Sequence, residues 1–193
     1  MPAEIYLNVA VAGLLTGLVY GLMALGLSVI FGVVRVVNFA HGEMMTIAMY
    51  LAIALFNALG LDPLVMMLPI AGVLFVFGYA LQAGIINPFI NRLYALTFGI
   101  GAACVGAAGS MLVLLVDVTP ALGPAYTLLA FIIVITGGLG SMPGALLGGV
   151  LIGLTEALAG LLFTPSAKSM FSFGLLVLVL LFRPQGILGR RAA

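Results

Sequence analysis

Charge is what this chain has least of. Of its 193 residues six are Lys or Arg and five are Asp or Glu, with one His, one Cys and no Trp. A soluble domain is about one-quarter charged, which would mean roughly 48 such residues at this length. The deficit excludes a disordered chain, which needs high net charge and low hydrophobicity. A net charge of +1 with no basic run excludes an electrostatic nucleic-acid binder. The lone Cys104 cannot form an internal disulfide, and one Cys with one His cannot build a zinc cluster. What is present is apolar: 65% of residues are hydrophobic and the mean hydropathy is +1.40. A globule this small has too much surface for its volume to hide so many apolar side chains from water. The bilayer must be the solvent.

The spans can be read from the gaps between charges. Glu4 to Arg35 encloses 30 uncharged residues, Glu43 to Asp62 18, Asp62 to Arg92 29, Arg92 to Asp117 24 and Asp117 to Glu156 38. A helix needs about 20 apolar residues to cross some 30 Å of hydrocarbon. Each of the first four gaps holds one crossing. The fifth holds nearly two, interrupted by the run Thr136–Gly144. The last apolar stretch, Ser169–Phe182, reaches span length if it begins near Phe163 and tolerates Lys168 at its mouth. Runs such as Leu112–Val116 and Leu175–Leu180 are apolar at every position, unlike the alternating strands of a membrane barrel. Their backbone groups must be satisfied within the segment, which means α-helix. The expected fold is therefore all-α: one polytopic transmembrane helix bundle over residues 1–193, with about seven crossings and broken or re-entrant Gly-rich segments.

Ala10-Val11-Ala12 matches the small-x-small pattern of a signal-peptide cleavage site. With no basic stretch before it and too few apolar residues, the first helix is read as retained. Arg183, Arg190 and Arg191 place the C-terminus in the cytoplasm by the positive-inside rule. Counting backward puts Arg35, Arg92 and the Gly137–Gly144 turn inside. Asp62, Asp117, Lys168 and the N-terminal tail with Glu4 then lie outside.

Glycine is abundant, with 26 residues. Gly13, Gly17 and Gly21 recur every four residues, as do Gly144 and Gly148, and Gly149 and Gly153. Small residues on one stripe let helix backbones approach closely, and packing drives helix association in lipid. The stripes predict a compact bundle, one that also packs against another membrane subunit.

Two polar interruptions break the apolar pattern, one in each half of the chain. The first runs from Arg35 through Asn38, His41 and Gly42 to Glu43. The second holds Gly137, Gly138, Gly140 and Ser141. Interrupted segments in corresponding positions point to a translocation pathway, because broken helices expose N–H and C=O groups to a polar solute. Asn38, His41 and Glu43 also fit an ordinary interfacial turn whose polar heads reach water. Glu156 lies deeper, about a dozen residues past the Gly-rich turn, where a carboxylate must pair or face a wet cavity. It reads either as a pathway residue or as a helix-end group.

No enzyme is expected. Ser141 lacks a G-x-S-x-G elbow, and Gly138-x-Gly140 follows no strand. The only lysine is Lys168, so there is no Walker lysine. No cofactor is expected on this chain, and any ATP is bound by partner subunits.

The stretch Gly17–Gly32, followed by Val37-Asn38-Phe39-Ala40-His41-Gly42-Glu43-Met44, resembles the N-terminal signature of bacterial branched-chain amino acid ABC transporter permeases, in particular the member of the permease pair with an "NFAHGE" run. Thr119–Gly123, Gly137–Ala145, Gly153–Glu156 and Phe182–Gly189 resemble later family motifs in the same order. The resemblance implies a bacterial inner-membrane subunit. It implies partnership with a second permease subunit, cytoplasmic ATPases and a periplasmic solute-binding protein, importing leucine, isoleucine, valine or related small solutes. The chain departs from the family after Asn91-Arg92. A typical member continues there through further crossings and a cytoplasmic loop that engages the ATPase, whereas Leu93–Gly99 resembles the helix after that loop. A deletion seam is expected at Arg92–Leu93. Both flanks of it are placed in the cytoplasm, so losing an even number of crossings would keep the orientation. The alternative is a shortened, uncoupled remnant or assembly subunit without ATP-driven transport.

Overall fold

The computed structural model describes residues 3–86, 92–164 and 168–189. Among them the ordered elements are helical: α1 (Ala3–Val34), α2 (His41–Leu59), α3 (Pro63–Leu81), α4 (Arg92–Leu112), α5 (Leu122–Gly137), α6 (Met142–Leu162) and α7 (Lys168–Phe182), with a π-helical turn Gln82–Ile86 after α3. Asn91, on one side of the expected seam, lies outside the described residues.

Five of these helices, α1 to α4 and α6, are long and apolar enough to cross a membrane, while α5 and α7 are shorter apolar helices. Of the roughly seven crossings expected, five thus have a helix of sufficient length and apolar composition, and α5 and α7 fall short in length. The physical reason is where the two short helices begin. The apolar run Val113–Val116 turns back on Gly109, Met111 and Leu112 instead of extending α4 or starting α5. α7 begins at Lys168, not near Phe163, and has 15 residues. That is about 22 Å of helix against some 30 Å of hydrocarbon.

Local chemistry sets the ends. Asp62 caps α3 by accepting the Leu64 N–H at 2.7 Å, with Pro63 at the first helical position, where its missing N–H does no harm. Ser141 caps α6 in the same way, accepting the Gly144 N–H at 3.1 Å. α2 closes on Gly60, whose φ of 66° takes the left-handed conformation and returns its N–H to the Phe56 carbonyl.

α1 and α4 form the centre, with about two-thirds of their apolar windows buried. Glycine determines how closely α1 is approached. Gly13 lies against Gly153 and Ala157, Gly17 against Gly149 and Val150, and Gly21 against Leu146, so the antiparallel α6 runs in contact along it. A Cβ added at Gly17 would stand 2.7 Å from the Val150 Cα. The second pair on α6, Gly144 and Gly148, faces α5 instead, meeting Gly137 and the Ile133 carbonyl. Fully buried Met23, Leu27, Met45, Met49, Leu74 and Ile133 fill the space between. The outer faces of α3 and α7 are apolar and exposed, as at Leu68, Val76, Val177 and Leu181. A surface of that kind suits lipid or another apolar helix.

Candidate functional site

The first polar interruption does not stay at the end of the bundle. α1 ends at Val34, and Arg35 follows with a φ of 54°, a left-handed turn that reverses the chain. Residues 35–38 have no regular structure. α2 then starts at His41, which is fully buried and donates from Nε2 to the Met23 carbonyl at 3.0 Å. Met23 is eleven residues before the end of α1, about 16 Å back along the helix axis. The chain therefore re-enters the bundle in non-helical form, and α2 begins at mid-depth. Phe39 marks the climb, packing its ring on Phe131 at 5.4 Å between centroids.

A helix that begins inside the bundle exposes N–H groups where no water is assured. Its own first residues do not cap it, because Ala40 has no side-chain acceptor. α5 supplies the cap. The Gly42 N–H donates to Thr127 Oγ1 at 2.9 Å, and the Thr127 hydroxyl donates to the Phe39 carbonyl at 3.2 Å. Glycine at 42 permits this closeness, since a Cβ there would run into the Gly123 carbonyl and Thr127. Glu43 lays its carboxylate over Gly123. Asn38 turns inward on itself, accepting the Ala40 N–H at 3.0 Å. His41 Nδ1 is buried without a hydrogen-bond partner among the described residues.

The second interruption sits elsewhere. Gly138 and Gly140 have φ of 109° and 76°, conformations that glycine adopts freely. Gly140 faces Gly32 near the end of α1. The C-terminal segment folds back here: the Ile187 and Leu188 N–H groups each donate at 2.9 Å, to the Thr136 and Gly137 carbonyls. Those are orphan carbonyls of the last turn of α5, so Phe182–Gly189 serves as a cap. Phe31, Gly32, Arg35, Gly140, Ser141, Pro143 and Leu188 surround a cavity of about 810 Å³. The two interruptions thus meet different partners. Asn38–Glu43 contact Met23 and α5 between Gly123 and Phe131, whereas Gly137–Ser141 contact the end of α1 and the segment around Ile187–Gly189.

Glu156 has other partners. It lies six residues before the C-terminal end of α6, and its carboxylate accepts hydrogen bonds from Tyr20 Oη at 3.2 Å and Ser172 Oγ at 2.7 Å. Tyr126 stands edge-on to Tyr20, 6.3 Å between centroids. These groups and Lys168 line a second cavity of about 310 Å³ between α5 and α7. Tyr20, Thr127, Tyr126 and Ser172 were not singled out from the sequence. Each is a hydroxyl in a mostly apolar helix, a group that gives little signal on its own.

Comparison with known proteins completes the picture. The family "Branched-chain amino acid transport system / permease component" matches residues 9–93 and 89–180. The permease BraD of Pseudomonas aeruginosa, of a high-affinity branched-chain amino acid transport system, is 28% identical over 295 positions, covering 96% of each chain. The chain has 193 residues, so at least the difference, 102 of those positions, has no counterpart in it. The permease LivH of Escherichia coli is 42% identical over 110 residues, 56% of this chain and 36% of LivH. A probable LivH permease of Methanocaldococcus jannaschii is 31% identical over 132 residues, 58% of this chain and 41% of the relative. No solved structure matches significantly.

Proposed function

The chain belongs to the branched-chain amino acid transport permease family, and from that premise we propose that it is the membrane-spanning subunit of an ABC importer, forming part of the pathway for leucine, isoleucine, valine or related small solutes. The single observation that carries this reading is the family match, which runs through almost the whole chain in two consecutive stretches. In this reading the chain crosses a bacterial inner membrane seven times, with α5 and α7 as short spans, the N-terminus outside and the C-terminus inside. The 810 Å³ cavity by Arg35 and Gly140 then lies at the cytoplasmic end. The interruptions Asn38–Glu43 and Gly137–Ser141 border the pathway at two depths. The mid-depth start of α2 directs the positive end of its dipole inward, the arrangement that broken helices use toward anionic groups. The partners in this reading are a second permease subunit, two cytoplasmic ATPases that bind the ATP, and a periplasmic binding protein.

A second reading is favoured by a specific observation. The two family stretches meet at residues 89–93, and at least 102 positions of BraD face a gap. This supports an internal deletion at Arg92–Leu93 that takes with it the loop expected to engage the ATPase. The chain is then a permease that assembles in the membrane but is weakly driven by ATP. Co-purification separates the two. With the partner permease and ATPases co-expressed, the partner permease is expected to come down with this chain in detergent in either case. Stoichiometric ATPase alongside it supports the coupled importer; its absence supports the shortened, uncoupled form. Failure to retain the partner permease overturns the permease reading itself.

A further inference from the structure

The cleft between α5 and α7 has no role in the capping and packing described so far, and it is built unlike an ordinary gap between apolar helices. A carboxylate on its floor, Glu156, is held by two hydroxyls from two other helices, Tyr20 of α1 and Ser172 of α7. Both of its oxygens are thereby positioned, yet an ionised carboxylate has about four acceptor sites and these bonds use two of them. An ammonium or alkylammonium ion is the natural further partner. Lys168, at the start of α7, rests its aliphatic arm on Gly160, one helical turn beyond Glu156 on α6. Glu156 bonds to hydroxyls rather than to this lysine, so two opposite charges line the cavity about one helical turn apart along α6. The remaining wall is α5, with Leu122, Leu129 and Ile132.

We propose that this cleft binds an aliphatic α-amino acid as its zwitterion, Glu156 taking the ammonium, Lys168 the carboxylate and the α5 wall the side chain. The choice of an aliphatic amino acid rests on the permease reading; the placement rests on the geometry. Its volume, about 310 Å³, is at the lower end of the range for small-molecule sites. Lys168 opens α7, so the carboxylate also meets the positive end of that helix's dipole. The rings of Tyr20 and Tyr126 line the same cavity, and aromatic faces attract an ammonium group. An apolar wall with a few convergent polar groups is how sites for amphiphilic small molecules are made.

Direct binding tests this without requiring transport. The full chain is placed in phosphatidylglycerol nanodiscs, so that no zwitterionic lipid competes, and equilibrium binding of radiolabelled L-leucine is measured. Leucinamide lacks the carboxylate and 4-methylpentanoate lacks the amine. Each is expected to compete roughly 10- to 100-fold less well than leucine, the loss from one charge-assisted hydrogen bond. Glu156→Gln is expected to weaken leucine by a similar factor while leaving 4-methylpentanoate unchanged, and Lys168→Met to weaken leucine while sparing leucinamide. Equal competition by all three ligands, or no saturable leucine binding to the parent chain, overturns the site, and both are read on the unsubstituted protein even where a variant fails to fold. Leucine binding that neither substitution changes places the ligand elsewhere and also overturns it. None of these results touches the permease reading, which fails separately if the chain does not retain its partner permease.

Discussion

Thr127 carries more of the structure than its size suggests. One hydroxyl accepts from the first turn of α2 and donates to the Phe39 carbonyl just before it, and it does so inside the bundle. Replacing it by the near-isosteric valine keeps the volume and strands the Gly42 N–H. Thr127→Val is expected to lower stability by about 1–3 kcal/mol, the penalty for an unsatisfied buried polar group, and Thr127→Ser to restore most of it. Thermal unfolding in detergent checks both, and a valine variant as stable as the parent would show that α2 is capped by something else. At this scale the sequence was only partly legible. His41, Gly42 and Glu43 stand out because they break an apolar pattern. Thr127 and Ser172 do not, because a Ser or Thr hydroxyl in an apolar helix can be satisfied by its own i−4 carbonyl, as Ser110 shows with Gly106; nor does Tyr20, whose ring suits an apolar helix whatever its hydroxyl meets.

Helices α1 and α6 illustrate what a residue pattern can and cannot convey about an element. Spacing by four declares that Gly13, Gly17 and Gly21 share a face. It does not say which helix they meet, because every helix here is apolar all round. The antiparallel partner is α6, through Gly149, Val150 and Gly153, while Gly144 and Gly148 turn to α5. Gly17→Leu is expected to force the two backbones apart and cost about 1–3 kcal/mol or more. A thermal transition unchanged from the parent would mean that the helices slide without loss. The non-helical climb from Arg35 to His41 was legible as a break but not as a re-entry. Hydropathy marks where a helix stops, whereas the depth at which the next begins depends on a distant contact, here His41 with Met23. The short length of α5 arises similarly, from apolar residues at Val113–Val116 that turn instead of continuing a helix, and α7 is short because it begins only at Lys168.

For the whole molecule, orientation and continuity decide what it does. With seven crossings Arg92 and Asp117 lie on opposite sides of the membrane. Single cysteines beside each, in a Cys104→Ala background, are expected to react with an impermeant reagent from opposite faces; labelling from one face would remove the seven-crossing arrangement. Continuity is the larger question, because the two family stretches meet at residues 89–93 and BraD has at least 102 positions more over the aligned length. The most direct measurement is ATP-dependent leucine uptake in a strain that lacks its own importer but supplies the partner permease, ATPases and binding protein. The 193-residue chain is expected to give weak or no uptake. The same chain with the corresponding BraD segment inserted at Arg92–Leu93 is expected to transport. Gly140→Leu in that restored form is then expected to abolish uptake by straining a φ of 76° and filling the 810 Å³ cavity. Full uptake by the short chain would contradict the deletion reading. A restored chain that sits in the membrane with its partners and moves no leucine would contradict its role as the permease.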